Sequence, residues 1–119
     1  MSAKREVRDY LNDILESVDD IHEFTRGMTY AEFAADKKTV KAVIRCLEVI
    51  GEAAKKIPAE IRASYSSLPW AEISGMRDKL IHEYFGVDIE IIWETVNSDL
   101  GSLKTVIPEI LKNLAAAKT

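Results

Sequence analysis

Apolar residues recur at three- and four-residue steps along almost the whole chain. Val7, Tyr10, Leu11, Ile14, Leu15, Val18, Ile21 and Phe24 form the first series, the stripe of an amphipathic helix of about six turns. Gly27 stands just past that stripe, where a residue able to take positive φ closes a helix. Thr29 and Glu32 have capping-box spacing and predict a short helix over Tyr30 to Ala35. Asp36 is placed to cap a second long helix. Its stripe is Val40, Val43, Ile44, Leu47, Ile50, Ala54 and Ile57, and Pro58 stops it.

Beyond Pro58 the chain is punctuated by the Ser64–Ser67 stretch and Pro69, which predicts a short helical turn and then a loop. Pro69 suits a first helical position, and the next helix is expected from about Trp70 to Phe85, with Gly86 as its stop. Asp88 then caps a last helix with the stripe Ile89, Ile92, Trp93, Val96, Leu100, Leu103 and Ile107, which Pro108 kinks or restarts toward Leu114. No run alternates with period two, and no hairpin dipeptide or internal repeat is present. The pattern therefore predicts an all-α fold: four main helices on short connections, packed as an antiparallel bundle.

Composition narrows this further. The 119 residues, 47% hydrophobic and 30% charged with five Gly and three Pro, suit a single compact domain over 1–119 and are too apolar for a disordered chain. The longest apolar run is Leu114 to Ala117, far short of the roughly 20 residues needed to cross a bilayer, so no membrane span is expected. The opening MSAKREVRDYLNDIL lacks an apolar signal core, and with it the expectation is a cytoplasmic protein. Cys46 is the single cysteine, which excludes an internal disulfide and a cysteine-based metal site. A net charge of −4 argues against a broad electrostatic grip on nucleic acid, leaving room for a small basic site.

Candidate chemistry concentrates in one place. The histidines His22 and His82 lie on different predicted helices and in no metal-ligand spacing, and the glycines form no phosphate-cradling loop, so neither a metal nor a cofactor is expected. What remains is GMRDKLIHEYFGVD, residues 75 to 88, with Arg77, Asp78, Lys79, His82, Glu83 and Tyr84 within eight positions. On a helix, Arg77 and Tyr84 fall within about 20° of each other two turns apart, and Asp78 precedes His82 by four, close enough to orient the imidazole. Arg77 and His82 lie about 140° apart on one straight helix. A two-fold axis that gathers two copies of each is the simplest way to bring them together. Packing roles fit the same residues: His82 sits beside Ile81 and Phe85, and Tyr84 suits a helix end with a wet hydroxyl. Spacing alone leaves both readings open.

The other candidates read more simply. Lys37, Lys41 and Arg45 line one helix face at four-residue steps, continuing to Glu48 and Glu52, as a solvated face, with an anion-contacting strip as the second reading. His22, among Asp19, Asp20 and Glu23, reads as a surface residue. Trp70 and Trp93 read as core anchors and Cys46 as a small buried hydrophobe.

The chain resembles the HepT-like family of the HEPN superfamily over nearly its whole length. The likeness runs through RDYLNDILESVDDI, FTRGMTYAEFAAD, VKAVIRCLEVIGEAAKKIP, PWAEISGMRDKLIHEYFGVD and IIWETVNSDL. The family signature, Arg, four spacers, His, one spacer, Tyr, is filled by Arg77, His82 and Tyr84. The resemblance implies a homodimeric HEPN-like bundle of four to five helices, with the two signature helices meeting across a cleft. It also implies the toxin half of a toxin–antitoxin pair, with a cognate minimal nucleotidyltransferase as antitoxin. Its chemistry would be metal-independent RNA cleavage through Arg77 and His82, with Asp78 orienting His82 by geometry, silenced by AMP transfer to Tyr84. The alternative is a non-catalytic helical module that docks the nucleotidyltransferase and serves as its adenylylation acceptor, a reading the acidic balance favours. Under a third, the chain is a purely structural helical dimer.

Overall fold

A computed structural model describes residues 5–76, 89–98 and 100–117. Among them the chain forms seven helices and no strand: α1 (Val7–Thr25), α2 (Tyr30–Ala35), α3 (Lys37–Lys55), α4 (Ala59–Ser64), α5 (Trp70–Ser74), α6 (Ile89–Ser98) and α7 (Leu100–Ala117). The all-α expectation holds.

The helix starts follow the polar residues that precede them. The Glu6 amide donates to Asp9 Oδ2 at 2.8 Å, opening α1. Thr29 and Glu32 close a reciprocal capping box, with amide to Oε1 at 3.0 Å and amide to Oγ1 at 3.2 Å. Asp36 accepts from the Thr39 amide at 3.1 Å and from the Thr39 hydroxyl at 2.7 Å, capping α3. Hydrogen bonds from Thr29 and Thr39 hold the Glu32 and Asp36 carboxyls below their ordinary range, so both caps are ionised at neutral pH. Gly27 takes φ +73 at the end of α1, the left-handed turn its position calls for.

α1 and α3 pack against each other along their lengths, and α7 covers another side of α1. Both neighbours run antiparallel to α1. Arg5, Tyr10 and Asp13 share a groove with Lys55 and Lys56 at the far end of α3, Val7 faces Leu111 and Leu114 of α7, and Lys104 Nζ lies 3.5 Å from Asp19 Oδ1. The shared core contains Leu11, Ile14, Val18 and Ile21 of α1, Val43, Leu47 and Ile50 of α3, and Leu100, Leu103, Ile107 and Ile110 of α7, all buried. Each such Leu or Ile contributes roughly 1.5–3 kcal/mol on burial. α5 lies on α3, and α6 contacts α2 and α7. No helix among the described residues is long and apolar enough to cross a membrane.

Several boundaries differ from the pattern. Phe24, the last residue of the first stripe, is 42% exposed in the final turn of α1. The expected Trp70–Phe85 helix is described over Trp70–Ser74, with Gly75 in a turn at φ −78, ψ −5 and Met76 helical again. Its remainder, Gly86 and the Asp88 cap lie outside the described residues. Pro69 occupies the cap position, one residue earlier than expected. Pro108 does not restart a helix, because α7 runs through it. Pro108 and Lys104, whose carbonyl it leaves without an amide partner, both lie on the exposed side, where water satisfies that oxygen.

Candidate functional site

Arg77, Asp78, His82 and Tyr84 all lie outside the described residues; the elements entering and leaving their segment are described. On the entry side α5 is anchored by Trp70, 6% exposed, whose Nε1 donates to the Tyr65 carbonyl at 3.0 Å. The Tyr65 hydroxyl in turn accepts from Asn113 Nδ2 of α7, tying the α4–α5 connection to the bundle. Ile73 and Met76 are buried, so the chain reaches Arg77 from a packed helix rather than a free loop. The Ser74 hydroxyl oxygen is buried and has no hydrogen-bond partner among the described residues.

On the exit side α6 begins at Ile89, directly after the signature segment. Ile92 and Val96 are buried, and Trp93 packs its ring 5.0 Å from that of Phe33, which is fully buried on α2. Tyr30 meets the Trp93 ring edge-on at 6.3 Å, and its own ring stays 41% exposed. Trp70 and Trp93 thus brace the two flanks of the signature segment, which agrees with their reading as anchors, although Trp93 is half-buried.

The remaining candidates take these places. Lys37, Lys41 and Arg45 share an exposed face of α3, and Arg45 Nη1 lies 3.4 Å from Glu48 Oε2. His22 is half-buried in the last turn of α1. Cys46 is half-buried rather than buried, and loss of solvent, followed by the nearby Asp20 charge, pushes its thiol pKa up; Arg45 opposes this weakly. A thiol held protonated is a poor nucleophile, so Cys46 is not a catalytic candidate. Among the described residues no group of His, Cys, Asp and Glu is arranged to hold a metal ion.

Sequence reading missed a groove of about 540 Å³ between the start of α1 and the end of α3. Arg5, at its mouth, lies 2.7 Å from Asp13 and places its guanidinium 4.8 Å above the centre of the Tyr10 ring. The walls come from residues about 40 positions apart in sequence, and a helical period carries no signal for such a pairing.

Comparison with known proteins gives one consistent result. The chain is 51% identical over 111 residues to "Putative RNase MJ0125" of Methanocaldococcus jannaschii, covering 93% of this chain and 96% of that protein. It is 50% identical to "Putative RNase MJ1216" of the same organism, covering 93% and 92%. Against "Probable ribonuclease HepT" of Thermococcus cleftensis it is 50% identical over 109 residues, covering 92% and 99%. No solved structure matches the chain. The profile of the family described as ribonuclease HepT-like matches residues 14–110, a span that holds the whole signature. With that match and these identities over nearly full length, the chain belongs to the ribonuclease HepT-like family.

Proposed function

We propose that this protein is an RNA endonuclease, the toxin of a toxin–antitoxin pair, acting as a homodimer through Arg77 and His82. The observation that carries the reading is the unbroken signature of Arg77, His82 and Tyr84 in a chain about half identical to proteins named as ribonucleases. RNA brings its own nucleophile, so the protein has only to move protons and stabilise charge. The 2′-oxygen attacks the adjacent phosphorus, the bond to the 5′-oxygen breaks, and the products are a 2′,3′-cyclic phosphate and a 5′-hydroxyl. His82, an imidazole able to exchange protons near neutral pH, takes the 2′-hydroxyl proton or gives one to the leaving oxygen. Arg77 is permanently charged and matches the phosphorane oxygens with paired hydrogen bonds. Asp78, one turn before His82, orients the imidazole. In a two-fold dimer the cleft holds two imidazoles and two guanidiniums.

Tyr84 supplies the control. Its hydroxyl oxygen attacks the α-phosphorus of ATP on a partner nucleotidyltransferase, pyrophosphate leaves, and the new phosphodiester stands beside Arg77, where an RNA phosphate would sit. Incubating the purified protein with single-stranded RNA in excess chelator tests the reading. Fragments ending in cyclic phosphate are expected; intact RNA, or fragments with 3′-hydroxyl ends, would overturn it. In the same series, label from the ATP α-phosphate enters the wild type but not Tyr84→Phe when the nucleotidyltransferase is present. Labelling without any cleavage would establish the non-catalytic acceptor instead.

A further inference from the structure

The groove between α1 and α3 carries a charge that runs against that of the chain. Arg5, Arg45, Lys55 and Lys56 line it, against Asp13 and Glu52, whereas the whole protein carries a net charge of −4. Lys55 and Lys56 complement the negative end of the α3 dipole. Arg45 stands more than two turns before that end and Arg5 belongs to another segment, so the α3 dipole does not account for them. Arg5 is engaged by Asp13 and Arg45 by Glu48, yet a guanidinium with five N–H donors keeps several for a further anion. Arg45 is also the last of the exposed series Lys37, Lys41, Arg45, whose members rise about 6 Å apart along the helix axis. A line of cations therefore leads along α3 into the groove, where a guanidinium lies over an aromatic ring.

We propose that the exposed face of α3 and this groove form a track for a single RNA strand. Lys37, Lys41 and Arg45 contact successive phosphates, Lys56 holds one at the far end, and a base stacks at the Arg5–Tyr10 pair. The proposal rests on the ribonuclease reading for its choice of ligand. Cations beside a planar guanidinium and a tyrosine ring fit a nucleotide strand, since bases stack on both kinds of surface. An acidic peptide would use the cations and leave the ring idle. The groove volume of about 540 Å³ suits one nucleotide unit. α3 also carries α5, the element that leads toward Arg77.

Binding of a fluorescent 2′-O-methyl RNA oligonucleotide, which lacks the 2′-nucleophile and so reports binding without cleavage, tests the track. Arg45→Gln and Lys56→Gln, both at exposed positions, are each expected to reduce the slope of log affinity against log salt by about 0.7. Together they weaken binding about ten-fold at low salt, with the melting temperature unchanged. Tyr10→Leu is expected to weaken RNA binding about ten-fold and to leave binding of inorganic polyphosphate, which has no bases, as it was. If Tyr10→Leu disturbs folding, the two glutamine variants still decide the matter. Unchanged affinity and salt slope in those variants would overturn the track. Equal loss for polyglutamate and RNA would show an acidic protein partner in its place. Cleavage is measured separately: cleavage with groove-independent binding removes only the track, while groove-dependent binding without cleavage removes only the ribonuclease reading.

Discussion

Replacing His82 by alanine is expected to slow RNA cleavage by about 10²–10⁴-fold, the usual contribution of a positioned acid or base. Arg77→Ala is expected to cost about 10²–10³-fold through lost stabilisation of the phosphorane. Circular dichroism and melting temperature are expected to match those of the wild type. Rates lost together with the fold would point to a structural role instead. A sharper version exploits the roughly 140° that would separate the two residues on one straight helix. When Arg77→Ala and His82→Ala chains are unfolded together and refolded, about half of the dimers carry one intact guanidinium and one intact imidazole on different subunits. If the cleft is shared, the mixture recovers measurable cleavage while each variant alone stays inactive. A mixture as inactive as its components would show that Arg77 and His82 work within one chain, and the dimeric cleft would be abandoned.

The parts of this protein that sequence reveals are those set by neighbours a few residues away. The caps at Thr29 and Asp36 and the left-handed turn at Gly27 each depend on fewer than five residues, and each forms as its local pattern dictates. The core face of α3 was equally legible, because every residue of its predicted stripe is buried. Errors arise where another element decides the outcome. Phe24 obeys the helical period but stays exposed, and Cys46 sits at the margin of the packed face rather than within it. Of the candidate site, the signature is visible as a spacing of residue types, while the proposed dimeric cleft would bring in a second chain that no single-chain periodicity encodes. The α1–α3 groove was invisible for a related reason: Arg5 and Lys56 become neighbours only once two antiparallel helices have docked.

Phe33 and Phe24 separate burial from pattern in a measurable way. Both are phenylalanines in or beside helices with apolar stripes, yet Phe33 is fully buried and Phe24 is 42% exposed. Phe33→Ala removes the ring that backs Trp93 at 5.0 Å and opens a void between α2, α3 and α6. It is expected to destabilise the fold by about 3–5 kcal/mol, a fall of roughly 10–20 °C in melting temperature for a chain of this size. Phe24→Ala is expected to cost clearly less, about 1 kcal/mol, since 42% of the residue stays in water and its loss opens no enclosed void. Phe33→Leu, which keeps most of the volume, should fall between the two, near 1.5 kcal/mol or less. Urea unfolding followed by tryptophan fluorescence measures all three at a fixed protein concentration, because the proposed dimer would add to apparent stability. The slope with urea should stay constant while the midpoint moves. α6 begins directly after the signature segment and rests on Phe33 through Trp93, so Phe33→Ala should also lower cleavage at temperatures where the chain is still folded. Wild-type cleavage in folded Phe33→Ala would mean that the signature segment holds its geometry without the aromatic brace on its exit side.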